Sequence, residues 1–297
     1  MTITIIVCTY GRASRLERCL DSLGAQDAPG MQITPVIVHG DAPTHRVVTQ
    51  RGLEPVLQER QGGIAEARNL GLRAASTPLV GFIDDDARAR PGWVQSLVAA
   101  FDTAQVGAAG GPVIDTRTGE QVVHEWWVDP FGTTHRASEP SATTIRTPTL
   151  NGCNMGFRRE ALRRIGGFDP YYRYYYDETD VCARLARAGY AIRFQETAVV
   201  NHDFAEGPTR ERFLYYSSRM RAYFSLKNYR DRVPASRLLV AQIRLLRDDL
   251  HAYRRHRPRY VGAAGTLRAC REIARGRLEG ILDGVEANPG SWRALPA

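Results

Sequence analysis

Residues 79–86 read Leu-Val-Gly-Phe-Ile-Asp-Asp-Asp, an apolar run that ends in three consecutive carboxylates. A short apolar run of this kind is typical of a strand that is buried on both faces of a parallel sheet. Because side chains alternate along a strand, Asp84 and Asp86 are expected to project to the same side. Ligands bind at the carboxyl ends of such strands, so the sequence supports a metal site here as strongly as an exposed acidic turn.

Strand and helix patterns alternate through the first 115 residues, on both sides of this run. The alternation predicts an α/β fold in which a mainly parallel sheet is sandwiched by helices. The expected strands lie at 4–7, 33–38, 55–58, 79–83 and 106–114, and the expected helices at 13–23, 63–75 and 93–100.

The alternation breaks after residue 115. Residues 115–148 are polar, rich in Thr and Pro, and carry Trp126 and Trp127, which predicts a loop or hairpin over a site. The tryptophans are candidates for contact with a bound ligand, and anchoring of the loop explains them equally well. Further helices are expected at 158–165 and 178–188, and short strands within 190–201.

The last third of the chain is expected to be helical, with two apolar stripes. These stripes are expected to pack on each other or on the sheet domain, with the arginines solvated. The alternative is that the basic faces meet anionic lipid headgroups at the inner face of the cell membrane. The stripes comprise Leu239, Ile243, Leu246, Leu250 and Tyr253, then Leu267, Ala274, Leu278, Ile281 and Val285; the arginines are Arg244, Arg247, Arg254, Arg255, Arg257 and Arg259.

Composition and charge restrict the function. The chain has 297 residues, 43% apolar and 24% charged, which fits one large α/β domain or a domain with an appendage and argues against disorder. The formal charge of +8 is the sum of +10 in the last third and −2 in the rest: residues 205–297 hold 19 basic and 9 acidic residues, and Lys227 is the only lysine of the chain. The rest is slightly acidic, so binding of nucleic acid through the main body is disfavoured.

The cysteines and the N-terminus favour a cytoplasmic protein. The five cysteines are scattered, odd in number and without a CxxC pair, which favours reduced thiols. No basic segment precedes the apolar run of residues 3–7, which is typical of a buried strand and not of a signal peptide. No apolar stretch reaches the roughly 18 residues that a membrane-spanning helix needs.

A second acidic group, Asp177-Glu178-Thr179-Asp180, precedes a helical pattern. Acids in a first helical turn are favoured by the helix dipole without any function. An aromatic run that includes Tyr175 and Tyr176 directly precedes them, however. Aromatic rings offer apolar faces to sugars and desolvate a carboxylate, which raises its pKa and suits it to general base catalysis.

A third motif begins with Gly62-Gly63 and continues through Arg68-Asn69. It predicts a glycine turn that opens a helix. Such a turn leaves backbone N–H groups for an anion, with Arg68 one turn further on. Taken alone, the motif favours a simple loop-to-helix junction, because short glycine motifs recur by chance.

Taken in order, these motifs resemble those of the family 2 inverting glycosyltransferases, which have the GT-A fold. Asp84-Asp85-Asp86 is similar to the DxD motif of that family, and residues 67–71 are similar to its ARNxG helix. The acids from Asp177 to Asp180 resemble its ED-motif helix. Residues 5–12 look like its first strand and nucleotide-contacting turn, 151–169 like the stretch before the acceptor-side acid, and 215–229 like a basic helix that often follows; the resemblance covers 3–230.

The resemblance implies a role for each matching residue. A divalent Mg²⁺ or Mn²⁺ ion is expected on Asp86, with His202 as a further ligand; His202 is equally an ordinary surface histidine. The expected donor-side contacts are Thr9, Tyr10, Arg12, Asp41, Arg68, Asp84 (near the ribose) and Asp85; the catalytic acids are Glu178 and Asp177, and the candidate acceptor contacts are Trp126, Trp127, Tyr175, Tyr176 and Asp180.

Two departures from the family pattern affect these roles. Where the family has an Asp directly after its second strand, this chain reads His39-Gly40-Asp41, so the base-contacting acid is absent or shifted to Asp41. The Glu-Asp order of the acid pair is also inverted here. By position Glu178 takes the role of the base, and Asp177 remains a competitor.

The resemblance implies transfer of a sugar from a UDP, dTDP or GDP donor to a hydroxyl of a saccharide, lipid-linked or small-molecule acceptor, with inversion. The alternatives are a nucleotidyltransferase acting on a sugar phosphate, a glycoside hydrolase, and a non-enzymatic helical module that binds anionic surfaces. The expected division is a catalytic GT-A domain at 1–208 and a basic helical region at 209–297.

Overall fold

A computed structural model describes residues 2–38, 42–58, 62–140, 143–203, 210–256 and 263–287. The strands are β1 (Ile3–Thr9), β2 (Met31–Val38), β3 (Val56–Gln58), β4 (Leu79–Asp84), β5 (Ala87–Ala89), β6 (Val106–Gly110), β7 (Val113–Asp115), β8 (Gln121–Val123), β9 (Trp126–Val128), β10 (Thr134–Arg136), β11 (Thr147–Thr149), β12 (Asn154–Arg158), β13 (Ala191–Phe194) and β14 (Val200–His202). The helices are α1 (Ala13–Gly24), α2 (Ala42–Thr49), α3 (Ile64–Ala74), α4 (Trp93–Ala99), α5 (Arg159–Arg164), α6 (Asp177–Arg187), α7 (Arg210–Tyr229), α8 (Ala235–His256) and α9 (Ala263–Glu286).

The central sheet has seven strands in the order β13-β6-β12-β4-β1-β2-β3. β1 lies between β2 and β4 and is parallel to both, as the sequence predicts. β12, which the sequence patterns do not predict as a strand, is antiparallel to its neighbours β4 and β6. The sheet is therefore mixed, and β12 brings the segment before it next to the end of β4.

Helices cover both faces of this sheet, which confirms the predicted layering. Along β1, Ile3, Ile5 and Val7 pack with α1, α2 and α4, whereas Ile6 packs with α3, α5 and α6. This is the alternation expected of a strand buried on both faces.

The segment predicted as a loop or hairpin contains short strands. β9 pairs with β10 and β11 in a three-stranded antiparallel sheet. A further small sheet has the order β5-β14-β7-β8. In it, His202 of β14 lies opposite Ala87 of β5, directly after Asp86. This pairing brings a histidine from far along the chain to the acidic run.

The C-terminal helices share a core with the sheet domain. Met220 and Phe224 of α7 are buried in one cluster with Val128, Tyr172 and Ala183. The predicted boundary between 208 and 209 lies outside the described residues. Within the described part of the chain, no helix is long and apolar enough to cross a membrane.

A buried charge network joins α6 to α7. Lys227, which is 1% exposed, donates from Nζ to Asp180 Oδ1 at 2.6 Å and to Asp169 Oδ2 at 2.9 Å. Arg184 Nε donates to Asp180 Oδ2 at 2.7 Å. Two buried cations thus balance two buried carboxylates, the condition under which buried charges are tolerated. Because Asp180 lies three residues after Asp177, the network fixes the start of α6.

Glycines bring α9 against α7. A Cβ at Gly280 would lie 2.1 Å from the Arg219 carbonyl oxygen, and one at Gly276 2.3 Å from that of Tyr215. At Gly284 it would lie 2.8 Å from Leu226 Cβ. The expectation that the second apolar stripe packs inward is therefore wrong for most of its members, because the close glycine contact turns Leu267, Leu278 and Val285 outward.

We expect Lys227→Met to lower the free energy of unfolding by about 3–5 kcal/mol, because it leaves Asp169 buried without a cation. The double variant Lys227→Met/Asp169→Asn should recover part of this loss, since one buried pair, Asp180 with Arg184, then remains balanced. Urea unfolding monitored by circular dichroism measures both. Arg164→Met, which removes an exposed ion pair with Glu160, is the control. A loss below about 1 kcal/mol in Lys227→Met would contradict the role of the network.

We expect Gly280→Ala to lower the free energy of unfolding by about 1–3 kcal/mol, because its methyl group forces α9 away from α7. Gly24→Ala is the matched control: Gly24 ends α1, and its Cβ would meet nothing within 4 Å. Alanine there should leave stability unchanged or raise it by up to about 1 kcal/mol through helix propensity. Equal effects of the two substitutions would show that the glycine contact between the helices is unimportant.

Candidate active site

The carboxyl ends of β1 and β4 bring Thr9 to the acidic run. The two strands are parallel, with Cys8 opposite Asp84. Thr9 Oγ1 donates a hydrogen bond to Asp85 Oδ2 at 2.7 Å, and both side chains are buried. The candidate site thus lies at the edge of the sheet that the sequence predicts.

Two arginines at the start of α1 pair with this run. Arg12 Nη1 lies 3.0 Å from Asp85 Oδ1 and 3.0 Å from Asp86 Oδ2, and Arg15 Nη1 lies 2.9 Å from Asp86 Oδ2. Both guanidinium groups remain partly exposed above the buried carboxylates. Sequence reasoning missed Arg15; its spacing of three residues from Arg12, typical of one helical face, is the signal that would have found it.

The environment separates the acidities of the two buried carboxyl groups. Burial raises the pKa of Asp85 to about 6, and the charge of Arg12 and the hydrogen bond from Thr9 offset only part of this effect. Burial also acts to raise the pKa of Asp86, but the hydrogen bond and charge of His202, with Arg12 and Arg15, outweigh it and lower this pKa. Asp86 is therefore the carboxylate held most firmly in its charged form.

His202, at the end of β14, contacts the carboxylates of the acidic run. Its Nε2 lies 3.1 Å from Asp86 Oδ1 and 3.8 Å from Asp84 Oδ2. Burial acts to lower the pKa of the imidazole, but hydrogen bonds and charges from Asp84 and Asp86 outweigh it and raise the pKa to about 9. The structure thus brings together Asp84, Asp86 and the predicted ligand His202.

The donor set suits a hard divalent cation. Ligand atoms of Asp84, His202 and Cys153 lie within 4.8 Å of one another, with Asp86 beside His202. Carboxylate oxygens and an imidazole nitrogen are ligands that Mg²⁺ and Mn²⁺ accept. Burial holds the pKa of the Cys153 thiol well above its usual value, which keeps the thiol neutral and makes it a poor ligand. No pattern in the sequence marked Cys153, because β12 alone brings it here.

Arg68 links the acids at the end of β4 (the donor-side acids, Asp84 to Asp86) to α6, the helix that begins at Asp177 and is called the acid helix below. Its guanidinium group, which is buried, forms an ion pair with Asp177, lies 3.5 Å from Asp84 Oδ1, and donates to the Gly152 carbonyl oxygen at 2.9 Å. A Cβ at Gly152 would lie 2.7 Å from Arg68 Nη2, so a larger residue here would displace the guanidinium group. In the described residues Arg68 thus bridges two carboxylates, and its contact with a nucleotide stays a prediction.

The Gly62-Gly63 turn opens α3 as predicted, and one of the first N–H groups of the helix already has a partner in the protein. The Ile64 N–H donates to the Arg173 carbonyl oxygen at 3.2 Å. A Cβ at Gly63 would lie 2.4 Å from Arg173 Cα. The glycine is needed because the segment before α6 crosses directly over the start of α3, which brings Arg68 to Asp177.

Two residues in a strained conformation precede the acid helix. Tyr175 has φ 61° and Tyr176 has φ 65°, in the left-handed region that non-glycine residues rarely adopt. The Tyr176 hydroxyl donates to the Gly132 carbonyl oxygen at 2.6 Å, which helps to hold the turn. Strain of this kind, of order 1–3 kcal/mol per residue, concentrates at functional sites.

The two acids at the start of α6 differ in their surroundings. Asp177 is buried and paired with Arg68, whereas Glu178 is only half-buried. Burial, together with the charge and hydrogen bond of Asp177, raises the pKa of Glu178 well above its usual value. Glu178 is therefore the acid of this pair that is suited to accept a proton.

Asp180 has a structural environment and not that of an acceptor contact. It has no exposed surface and accepts hydrogen bonds from Lys227, Asn228 and Tyr172 as well as Arg184. Burial acts to raise its pKa, but the charges of Arg184 and Lys227 outweigh burial and lower it to about 2. The prediction that Asp180 contacts an acceptor is corrected on this ground.

The aromatic residues predicted to contact an acceptor also fall into two groups, one structural and one partly exposed. Trp127 is buried, stacks on His135 with 4.2 Å between ring centroids, and donates from Nε1 to the Arg136 carbonyl oxygen at 3.1 Å. Trp126 packs against the core. Both tryptophans thus anchor the small sheet of β9–β11, and Tyr175 and Tyr176 remain the partly exposed candidates.

The remaining predicted residues lie at the rim or outside the description. Tyr10 follows β1 and is 51% exposed, open to a ligand at the strand ends. Asp41, the shifted candidate for contact with the base, lies outside the described residues.

Comparison with known proteins identifies the family. Residues 4–166, more than half of the chain, match the family described as Glycosyl transferase family 2, and residues 132–203 match the N-terminal domain of galactosyltransferase. A pre-mycofactocin glycosyltransferase of Mycobacterium tuberculosis is 28% identical over 68% of this chain, and the match spans only 42% of that relative. A glucosyl-dolichyl phosphate glucuronosyltransferase of Haloferax volcanii is 26% identical over 75% of this chain and 76% of its own.

Solved structures agree with the fold. A mannosyltransferase from Pyrobaculum calidifontis, in complex with GDP-Man and Mn²⁺, has a TM-score of 0.60 at 18% identity and covers 95% of this chain and 85% of its own. TarS residues 1–349 from S. aureus, in complex with UDP, has a TM-score of 0.56 at 18% identity, with 77% and 66% covered. The fold is thus of the GT-A type, and the chain belongs to glycosyl transferase family 2.

Proposed function

We propose that this protein transfers a sugar from a nucleoside diphosphate to an acceptor hydroxyl, with inversion of the anomeric centre. One observation carries the proposal: Arg68 joins the acids at the end of β4 to the acids at the start of α6. A site for a charged donor and a group able to accept a proton therefore lie side by side. Family membership supports the same reaction class.

The binding site of the sugar donor is assigned to the partly exposed residues next to the acidic run Asp84–Asp86. Arg12 and Arg15 present partly exposed guanidinium groups, which suit the oxygens of a diphosphate. Tyr10 offers an exposed ring at the end of β1. Thr9 and Asp85 lie beneath and hold Arg12 in place by the bonds described above. These arginines are placed to stabilise the negative charge that grows on the leaving diphosphate.

Asp84, Asp86 and His202 are the residues that would hold a divalent cation, Mg²⁺ or Mn²⁺. Such an ion, when bound, supplies positive charge to the diphosphate leaving group. The mannosyltransferase structure with GDP-Man and Mn²⁺ supports this assignment by its fold.

Glu178 is assigned as the general base. An acceptor hydroxyl is far too weak an acid to ionise at neutral pH, so a carboxylate must take its proton during attack. Asp177 is committed to Arg68, whereas Glu178 is half-buried and has a raised pKa. The inverted order of the two acids thus leaves Glu178 at the position of the family's base and gives the preceding acid, Asp177, the ion pair with Arg68. Attack from the face opposite the leaving group then inverts the anomeric centre.

The donor is proposed to be a UDP, dTDP or GDP sugar, and the acceptor a saccharide, a lipid-linked sugar or a small molecule. Among the relatives, one printed name specifies a glucosyl-dolichyl phosphate and one structure holds GDP-Man. The half-buried Tyr175 and Tyr176 shortly precede Glu178 in the chain and are the assigned acceptor-side surface.

A thermal-shift panel of these nucleoside diphosphates and their sugars tests the proposal directly. One donor should raise the melting temperature, because a ligand that binds only the folded state stabilises it. Turnover with acceptor should release a nucleoside diphosphate. Release of pyrophosphate from a triphosphate would favour a nucleotidyltransferase, and sugar hydrolysis without nucleotide would favour a glycoside hydrolase; either result rejects the proposal.

We expect Glu178→Gln to lower kcat by about 10²–10⁴-fold, the usual contribution of a general base, while donor binding is retained. Initial rates of nucleoside diphosphate release measure the first effect, and thermal shift with the donor measures the second. Glu160→Gln, at an exposed acid on α5, is the matched control. Near-normal turnover in Glu178→Gln would remove this residue as the base.

The pH dependence should report the same assignment. The base acts as a carboxylate, so kcat/KM should rise with pH through the raised pKa of Glu178. Asp177→Asn removes the like charge that raises this pKa, so the acid limb of the profile should move to lower pH. A limb that stays in place, or moves to higher pH, would contradict the coupling between the two acids.

Removal of divalent cations with EDTA should abolish transfer, and Mn²⁺ should restore it. In His202→Ala we expect the Mn²⁺ affinity measured by calorimetry to fall at least about tenfold, because one ligand and its hydrogen bonds are lost. His251→Ala, at an exposed histidine on α8, serves as control. Full activity in EDTA would exclude the metal role of the acidic site.

A further inference from the structure

A cleft lies between the segment that precedes β11 and the connection from α7 to α8. It consists of two adjoining cavities of about 190 and 240 Å³, and Thr144, Ile145 and Arg232 line both. Arg187, the last residue of α6, lines the larger cavity. It lies nine residues after Glu178, about 14 Å along the helix. Among the described residues that line the cleft, none belongs to the candidate active site.

Four arginines surround this cleft. Arg146 and Arg187 line the larger cavity, Arg237 lines the smaller one, and Arg232 lines both. None of the described residues that line either cavity is acidic. Arg187 is balanced by Asp231, whose carboxylate oxygens lie 2.6 and 3.0 Å from its guanidinium nitrogens. Three cations are then left without such a balance.

These three arginines have no acidic partner in the described part of the chain. Arg146 Cζ lies over the Trp127 ring, 4.9 Å from its centroid, which orients the guanidinium group. Arg232 and Arg237 are exposed. The Arg232 N–H donates to the Tyr229 carbonyl oxygen at 3.0 Å, so the turn that follows α7 sets the position of this residue at the cleft. The positive charge is therefore placed by the fold and left for a ligand.

The smaller cavity adds apolar surface beside the arginines. Its apolar wall is formed by Pro130, Phe131, Ile145, Val233 and Pro234. Asp129, which precedes this wall in the chain, is buried and accepts hydrogen bonds from two backbone N–H groups, so its charge is already compensated within the protein. Apolar walls with a few converging polar groups are typical of sites for small molecules.

We propose that this cleft binds a phosphate ester whose organic part is apolar. Guanidinium groups hold oxyanions through paired N–H donors. A carboxylate brings one negative charge and two oxygens, whereas a phosphate ester brings about −1.5 to −2 and three oxygens, which better match three unbalanced arginines. The apolar wall contacts the organic part. Soluble esters and lipid phosphates share this chemistry, and either occupant contacts the helix that carries Glu178.

Calorimetric titration of the full chain with phenyl phosphate tests the proposal without donor, acceptor or metal. Phenyl phosphate should bind at least about tenfold more tightly than benzoate, which has the same ring but one carboxylate. It should also bind more tightly than inorganic phosphate, which lacks the ring. Dihexanoyl phosphatidic acid, kept below its micellar concentration, is the lipid probe. Tighter binding of this lipid than of phenyl phosphate would identify a lipid phosphate as the ligand, and weaker binding a soluble ester.

Variants at exposed positions locate the bound ester. Arg232→Gln should lower the affinity at least about tenfold, because it removes the positive charge that both cavities share. Thr144→Glu should weaken binding as well, since it places a negative charge at both cavities. Arg73→Gln, at an exposed arginine at the end of α3, is the matched control and should bind like the unmodified chain. The melting temperature of each variant should stay close to that of the unmodified chain, because these side chains are exposed.

Arg12→Gln separates the cleft from the candidate active site. Phenyl phosphate in the cleft should bind this variant as it binds the unmodified chain. A loss of affinity in Arg12→Gln with none in Arg232→Gln would place the ester at the donor site and overturn the proposal. It would also be overturned if neither ester binds, if benzoate binds as tightly as phenyl phosphate, or if Arg232→Gln has no effect. Because the readout is binding to a separate cleft, failure here leaves the proposed glycosyl transfer untouched.

Discussion

The ion pair between Arg68 and Asp177 is the interaction on which the arrangement of this protein depends. A guanidinium group removed from water must have carboxylate or carbonyl partners, and here they come from separate segments: Asp84 at the end of β4, Gly152 before β12, and Asp177 at the start of α6. These segments are far apart in the chain. Satisfying one buried cation therefore fixes the distance between the donor-side acids and the acid helix, and a side chain at position 152 would displace the guanidinium group.

The ion pair between Arg68 and Asp177 gives two adjacent acids, Asp177 and Glu178, different roles. Asp177 is held in its charged form by Arg68, and this charge, added to burial, raises the pKa of Glu178. The acid helix is braced from its other side by Lys227, so α7 is part of the support of the candidate site and not an appendage. Within the described part of the chain, α7 holds the acid helix, and α9, brought close to α7 by glycines, leaves large apolar side chains exposed.

Much of the fold could be predicted because its signals are local. The strand and helix periodicities of the first 115 residues reproduce β1 to β4 with α1, α3 and α4, and the acidic run lies where the end of β4 predicts it. Other features depend on distant residues and left no local signal. β12 is antiparallel within a sheet of otherwise parallel pairings, Cys153 reaches the site through it, and the apolar stripe of α9 faces outward because the glycines face inward.

The sequence by itself determined the α/β architecture, the order of the motifs and the residue types of the candidate site, since periodicity and motif spacing are properties of short segments. Only the tertiary structure decided what each charged group does. Arg68 bridges two acids, Asp180 and Lys227 are buried partners, and Glu178 is the less constrained acid of its pair. The physical reason is that burial and ion pairing set the role of a charged side chain, and both depend on segments that meet only when the chain is folded.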